Sequence, residues 1–190
     1  KVQAAKNGRR DADQDFGCNP CSEIILRPYQ FCNLSEVVAR ETDTLASLKE
    51  KVRLATILGT FQATLTNFKY LRNIWKANTE QERLLGVSLT GIMDCPALHK
   101  GKQVADTLEM LRVTAIDANK SMAWELGIEQ SAAITCVKPS GTVSQLVDSA
   151  SGIHARHNPY YIRTVRGDNK DPLTQFLISQ GIPNEPDVMK

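Results

Sequence analysis

The chain has 190 residues, 42% of them apolar and 23% charged, with a net charge of +2. That length and balance suit one soluble domain able to bury roughly two thirds of its unfolded surface. The near-neutral charge argues against a dedicated nucleic-acid surface, and no apolar run reaches the ~18 residues of a membrane span. Lys1 to Lys6 contain no apolar signal-peptide core, and the chain does not start with Met. Both features suit an excised piece of a protein kept in the reducing cytoplasm.

Residues 1–16 read as a polar lead-in, carrying Lys6, Arg9, Arg10, Asp11, Asp13 and Asp15. Ile24-Ile25-Leu26 predicts a short buried strand that ends before Pro28. Leu45, Leu48, Val52, Ala55, Leu58, Leu65, Phe68 and Leu71 recur at helical steps and predict a long helix over Thr44 to Leu71. Thr42 or Asp43 is available to cap it. Leu84 to Leu89 predicts a buried strand. A second helix is predicted from Val104 to Leu126, with Gly127 as its left-handed stop. Ala132 to Val137 is β-prone, Lys138-Pro139-Ser140-Gly141-Thr142 is a break, and Thr142 to Val147 suggests a short helix. Tyr160 to Val165 is strand-like, and Asp171-Pro172 opens a last helix that stops before Gly181. Strands alternating with helices favour an α/β fold.

The five cysteines, Cys18, Cys21, Cys32, Cys95 and Cys136, are an odd number in a chain too long for a secreted disulfide scaffold. Three of them fall within fifteen positions. Asn19, Cys21 and Glu23 alternate, so an extended segment would turn an amide, a thiol and a carboxylate to one side. Such a set combines radical or nucleophilic chemistry, proton transfer and orientation. Cys18-Asn19-Pro20-Cys21 is also a CxxC, open to a thiol-redox pair or half a zinc site. A second CxxC or Cys/His pair at suitable spacing is missing, and chance clustering is the third alternative. Cys95 and Cys136 read as small buried apolar residues. His154 and His157 read as loop polarity, and Arg163 and Arg166 receive no substrate role.

Asn19-Pro20-Cys21-Ser22-Glu23-Ile24 is similar to the Asn-x-Cys-x-Glu signature of ribonucleotide reductase large subunits. Cys32 follows eleven positions later, in Phe31-Cys32-Asn33-Leu34, a spacing that resembles the adenosylcobalamin-dependent class. Gly86-Val87-Ser88-Leu89-Thr90-Gly91-Ile92, Val137-Lys138-Pro139-Ser140-Gly141-Thr142-Val143 and Tyr161-Ile162-Arg163-Thr164-Val165-Arg166 resemble that class in the same order. The last of these is followed by Asp171-Pro172-Leu173. The resemblance runs from about Gly17 to the end.

It implies radical reduction of ribonucleotides to 2′-deoxyribonucleotides. Cys21 would carry the thiyl radical and take the 3′ hydrogen. Glu23 would be the base for the 3′ hydroxyl, Asn19 would hold the sugar hydroxyls, and Cys32 would be a reducing thiol. Ser22 would face the substrate, and Ser140, Gly141, Thr142, Val143 and Ser144 would form the phosphate-binding turn. A turn from a strand into a helix start supplies backbone N–H groups and the positive dipole end; read without the resemblance, the same turn is a simple N-cap.

The implied partners are a ribonucleoside tri- or diphosphate, a thioredoxin-like reductant and nucleotide effectors bound outside this segment, with neither nucleic acid nor membrane. Adenosylcobalamin is the implied cofactor, without assigned contacts. The implied fold over residues 1–190 is the second half of the ten-stranded α/β barrel of the family, with Cys21 on a finger loop near the N-terminus. The family's second reducing cysteine lies upstream of the radical position, and no cysteine precedes Cys18 here. The chain is therefore expected to be an incomplete piece, inactive alone and poor at folding alone. Two alternatives stay open: a reductase class with a separate metal-containing radical subunit, and a small zinc or thiol-redox module built on Cys18 and Cys21.

Overall fold

The structure, a computed structural model, describes residues 10–188. Residues 1–9 of the polar lead-in lie outside it. The chain divides into two units, one up to Arg156 and one from His157 onward.

The first unit opens with a small antiparallel hairpin, β1 (Gly17–Cys18) paired to β2 (Ile25–Leu26). β3 (Asn33–Val38) then pairs in parallel with β4 (Leu85–Thr90), in register from Asn33 opposite Leu85 to Val38 opposite Thr90. Two helices connect them, α1 (Leu45–Gln62) and α2 (Asn73–Glu82). Parallel strands require such a crossover. β4 is buried on both faces, as a central parallel strand must be. On its far side the run from Ala132 to Cys136 lies alongside. Leu85 N–H donates to the Ala133 carbonyl at 3.0 Å, and Cys136 N–H donates to the Val87 carbonyl at 3.1 Å. Only Val87 and Thr135 form a regular bridge, so the predicted strand over Ala132–Val137 is a partial one.

After β4 come a 3₁₀ turn (Ile92–Asp94), the one-turn α3 (Pro96–His99), and α4 (Val104–Glu125). A short helix, α5 (Thr142–Leu146), follows the irregular run. Val37, Leu48, Val52, Val87, Leu98, Leu111 and Ala115 form the core where α1 and α4 cover the sheet. This confirms the α/β class. No helix among the described residues is long and apolar enough to cross a membrane.

Gly91 carries φ +75°, and a Cβ there would meet the Ala39 carbonyl oxygen at 2.4 Å. The turn leaving β4 therefore excludes any side chain.

The predicted helix from Thr44 to Leu71 is too long. Its start is capped by Thr44, whose hydroxyl accepts from Ser47 N–H, rather than by Thr42 or Asp43. Asp43 instead accepts from the Ser47 hydroxyl at 2.7 Å. The helix stops at Gln62, where Thr64 returns its hydroxyl to the Phe61 carbonyl and Arg83 takes the Ala63 carbonyl. Leu65 beyond the stop is 71% exposed, so the apolar spacing continues without a helix under it.

Arg10 also departs from the sequence reading. It is buried, and its guanidinium lies 2.8 Å from Glu82 on α2. The polar lead-in thus ends inside a charged cluster.

In the second unit, α6 (Pro172–Ser179) is capped by Asp171, which accepts from Leu173 N–H at 2.9 Å. Gly181 follows with φ +80°. Tyr160 to Val165 forms no strand; Tyr160 and Ile162 are 94% and 97% exposed. Alternation makes a strand only where an edge is available to pair with it.

Candidate active site

The β1–β2 hairpin presents Asn19 to Ile24 at its tip. Pro20, with its fixed φ, suits the second position of a turn. Ser22 N–H closes that turn on the Asn19 carbonyl at 2.9 Å, and Ser22 takes φ +63°. The extended geometry expected for Asn19, Cys21 and Glu23 is therefore wrong. The segment is a tight turn that leaves Cys18, Cys21 and Ser22 exposed and tucks Glu23 under it. Asn19 fixes the turn from inside, since its Oδ1 accepts from Ile24 N–H at 3.0 Å. Its amide N–H group also donates toward the Glu23 carboxylate. Cys18 Sγ sits 3.6 Å from Ser22 Oγ. No third His, Cys, Asp or Glu among the described residues joins Cys18 and Cys21 in a group able to hold a metal.

Glu23 is the electrostatic centre. Its side chain is 3% exposed, and Lys138 Nζ donates to its Oε1 at 2.9 Å. Burial pushes this carboxyl up. Hydrogen bonds from Lys138, its own backbone and the Asn19 side chain outweigh burial and hold it below the usual range. Oε2 is buried without a hydrogen-bond partner among the described residues. Lys138, in the predicted break after Val137, reaches across to the hairpin. Its own backbone N–H is fixed by Ser88 Oγ on β4 at 2.9 Å.

Cys32 precedes β3 and is half-buried. Phe31 beside it stacks on Trp75 at 4.6 Å and meets Phe68 edge-on at 5.1 Å, which holds this approach to the strand. Burial, then the Glu23 charge, raise the Cys32 thiol above its ordinary value. Cys136 was read as inert packing, yet it belongs to the same group. Burial and the nearby Glu23 and Cys32 push it up to about 11. What opens this space is Gly86 in β4. A Cβ there would fall 2.4 Å from Leu34 Cδ2, 3.2 Å from Cys136 Sγ and 3.3 Å from Ile24 Cδ1. Cys95 fits its reading as core: it is fully buried.

These environments fix an order of thiol reactivity. Iodoacetamide at about pH 8 attacks the thiolate, which is scarce where a thiol is buried and its pKa raised. Cys18 and Cys21 are expected to label first, Cys32 and Cys136 more slowly, and Cys95 last. Peptide mass spectrometry over a time course checks this. Cys136 labelling as fast as Cys21 would contradict its burial.

The turn at Ser140 to Ser144 enters α5. Gly141, Thr142 and Val143 are exposed, and α5 has no side-chain cap. Ser140 is 3% exposed, with a buried hydroxyl that has no hydrogen-bond partner among the described residues. Ser144 points the other way. It is fully buried, and its hydroxyl donates to the Ser140 and Gly141 carbonyls. Its place is in holding the turn, against the expectation that it faces substrate. From the far end, Arg40 donates to the Val147 and Asp148 carbonyls. Arg156 bridges Asp94 and Asp148 at 3.0 Å each. The loop polarity read at His154 to His157 thus includes a clamp on this turn.

No family model matches the chain. The adenosylcobalamin-dependent ribonucleoside-triphosphate reductase of Lactobacillus acidophilus is 30% identical over 202 residues, covering 93% of this chain and 27% of that protein. The enzyme of the same name from Lacticaseibacillus paracasei is 31% identical, covering 99% of this chain and 28% of its own length. Among solved structures, the crystal structure of a B12-dependent (class II) ribonucleotide reductase matches with a TM-score of 0.71 and 26% identity, over 95% of this chain and 28% of that one. Sequence and structure agree that the chain is homologous to one segment, about a quarter of the length, of the adenosylcobalamin-dependent class of ribonucleotide reductases.

Proposed function

We propose that this segment supplies the radical-bearing hairpin and the phosphate turn of a ribonucleotide reductase that acts on ribonucleoside triphosphates. The observation that carries this is the convergence of Cys21, Glu23, Cys32 and Lys138 from three separate stretches of chain, beside a turn of exposed backbone at Gly141 to Val143. The relatives' names support the triphosphate as substrate. The hairpin tip takes the part of the finger loop, and the β3–β4 sheet that of a portion of the barrel.

In this reading the Cys21 thiyl takes the 3′ hydrogen atom of the ribose. Glu23, ionised by its surroundings, accepts the proton of the 3′ hydroxyl. Asn19 directs the remaining N–H of its amide at the sugar hydroxyls. Cys32 protonates the departing 2′ hydroxyl, which leaves as water. The raised pKa of Cys32 suits that step, because a thiol must hold its proton to deliver it. Cys32 and a second thiol pass their two electrons and hydrogens to the sugar, one proton leaving in the water and one hydrogen reaching C2′, and end as a disulfide. Cys21 returns its hydrogen atom to C3′, and a thioredoxin-like dithiol reduces the disulfide. Thr142, Gly141 and Val143 offer the turn's backbone to the phosphates. Ser140 adds its hydroxyl if the turn opens slightly.

The relatives' names also specify adenosylcobalamin, which when bound would supply the initiating radical. A mostly apolar cavity of about 570 Å³ between β4 and α4 is walled by Val52, Val87, Leu108, Leu111 and Val137, with Ser88, Glu109, Arg112 and Thr135 also on its lining, and no contact to the corrin is assigned to it. The chemistry proposed here is carried by the chain's own residues.

The test is direct. The full-length chain carrying this segment, given a ribonucleoside triphosphate, adenosylcobalamin and a dithiol, is expected to form the 2′-deoxynucleotide. If product forms without adenosylcobalamin and only with a metal-containing radical subunit, the class assignment fails. If it forms under neither condition, the reading as a reductase fails.

A further inference from the structure

Lys138 stands at a junction. Through the chain it is joined to Pro139 and the turn at Ser140 to Ser144. Through its backbone N–H it is pinned to Ser88 on the central strand at 2.9 Å. Through Nζ it makes the ion pair with Glu23 at 2.9 Å, across 115 residues of sequence. The lysine side chain is 30% exposed and the glutamate 3%. A carboxylate so buried carries a large desolvation cost unless it is paired. Among the described residues, Lys138 is the cation paired with it. The other titratable groups around Glu23 are the thiols of Cys21, Cys32 and Cys136, and a thiol has no cationic form. None of them can replace the ammonium.

Resting on the reading of Glu23 as the base, we propose that Lys138 is a positioning residue for the reaction: its ammonium, fixed to the frame of the phosphate turn, keeps the Glu23 carboxylate ionised and aimed beside Cys21. The turn that receives the phosphates and the counter-ion of the base that serves the ribose are thereby carried on one short stretch of chain. A lysine beside a phosphate turn has a simpler use as a phosphate ligand. Here its amine is turned to the hairpin instead, and its distance to Glu23 is that of a charge-assisted hydrogen bond.

The two roles predict different kinetics. Loss of a phosphate ligand weakens substrate and transition-state binding together, so KM rises while kcat holds. Loss of the counter-ion acts on the base. Glu23 would then protonate at higher pH, and the acid limb of the kcat profile would move upward. An opposite charge at this range commonly shifts a carboxyl by about 1–3 units, so a displacement of about one unit or more is expected.

The experiment is the pH profile of kcat and KM for Lys138→Met and Lys138→Arg in the full-length enzyme. Lys138→Met should lower kcat at about pH 6–7, with recovery toward alkaline pH, as its acid limb moves up. Lys138→Arg, which keeps the cation, should leave the limb near its original position and confirms that the site still assembles. A Lys138→Met enzyme with an unmoved acid limb and a raised KM overturns the proposal, as does a Lys138→Arg limb displaced as far as that of Lys138→Met. Glu23→Gln separates the underlying reading. If it still reduces ribonucleotides, Glu23 is not the base and the parent reading has failed. If it is inactive while the Lys138→Met profile is unmoved, the inference about Lys138 alone is wrong.

Discussion

Cys21→Ser in the full-length chain is expected to abolish ribonucleotide reduction while leaving the protein folded and able to bind nucleotide. The chemical reason is the strength of the bond to hydrogen. A thiyl radical takes a hydrogen atom from a ribose carbon and later returns one at little energetic cost. A serine hydroxyl cannot be converted to the corresponding radical by the same initiator. The structural reason is that the substitution is nearly isosteric at an exposed position in a turn held by other groups. Asn19 Oδ1 on Ile24 N–H and Ser22 N–H on the Asn19 carbonyl both survive it. Exposed changes away from such anchors usually alter stability by only about 0.5 kcal/mol. Loss of turnover with retained nucleotide binding therefore reports chemistry rather than collapse. Cys18→Ser is the companion measurement. The Cys18 side chain lies exposed, 3.6 Å from the Ser22 hydroxyl, and its replacement is expected to preserve turnover. A CxxC redox or zinc module would need both cysteines equally, so equal losses in the two variants would favour that alternative. Surviving turnover in Cys21→Ser would remove the radical assignment.

The Cys21 hairpin and the turn at Ser140 to Ser144 were legible as short motifs, because each is a run of consecutive residues. Their geometry was less legible. Alternation suggested that Asn19, Cys21 and Glu23 share one face, but Pro20 and the left-handed Ser22 make a turn instead. Lys138 and Cys136 were read separately from the hairpin, since nothing local links residue 138 to residue 23. Only β4 brings them together, and Gly86, with no side chain, leaves the room. α2 was missed for a related reason. Helix reading relies on apolar residues at helical spacing, whereas the fully buried positions of Asn73–Glu82 are Thr79 and Glu82. The helix packs through charge and hydrogen bonds, to which hydrophobic periodicity is blind. In Thr44–Leu71 the opposite error arose: Leu65 and Leu71 kept the spacing after the helix had ended.

The charged interior that hid α2 also makes the second strong prediction. Glu82→Ala is expected to destabilise the hairpin region by about 3–5 kcal/mol, the usual effect of removing one partner from a buried charge cluster. Glu82 is 1% exposed and lies 2.8 Å from Arg10 and 3.5 Å from Arg27, whose side chains are 6% and 3% exposed. Gln30 Nε2 adds a hydrogen bond at 2.7 Å. Alanine would leave two buried guanidinium groups without their anion. The effect should reach the active site, because the same cluster roots the hairpin. Arg10 donates to the Ile25 carbonyl at 2.9 Å, and Arg27 N–H donates to Gln30 Oε1 at 2.9 Å. Hydrogen exchange over residues 17–30, followed in increasing urea, reads the local stability directly. Glu82→Gln keeps one acceptor and should fall between wild type and Glu82→Ala. Replacing Arg10 and Arg27 with Met together with Glu82→Leu should recover much of the loss, because a well-packed apolar trio has no uncompensated charge. Unchanged protection of the 17–30 hairpin in Glu82→Ala would show that the cluster does not hold it. The Cys21 turn would then depend on its own hydrogen bonds and on Lys138.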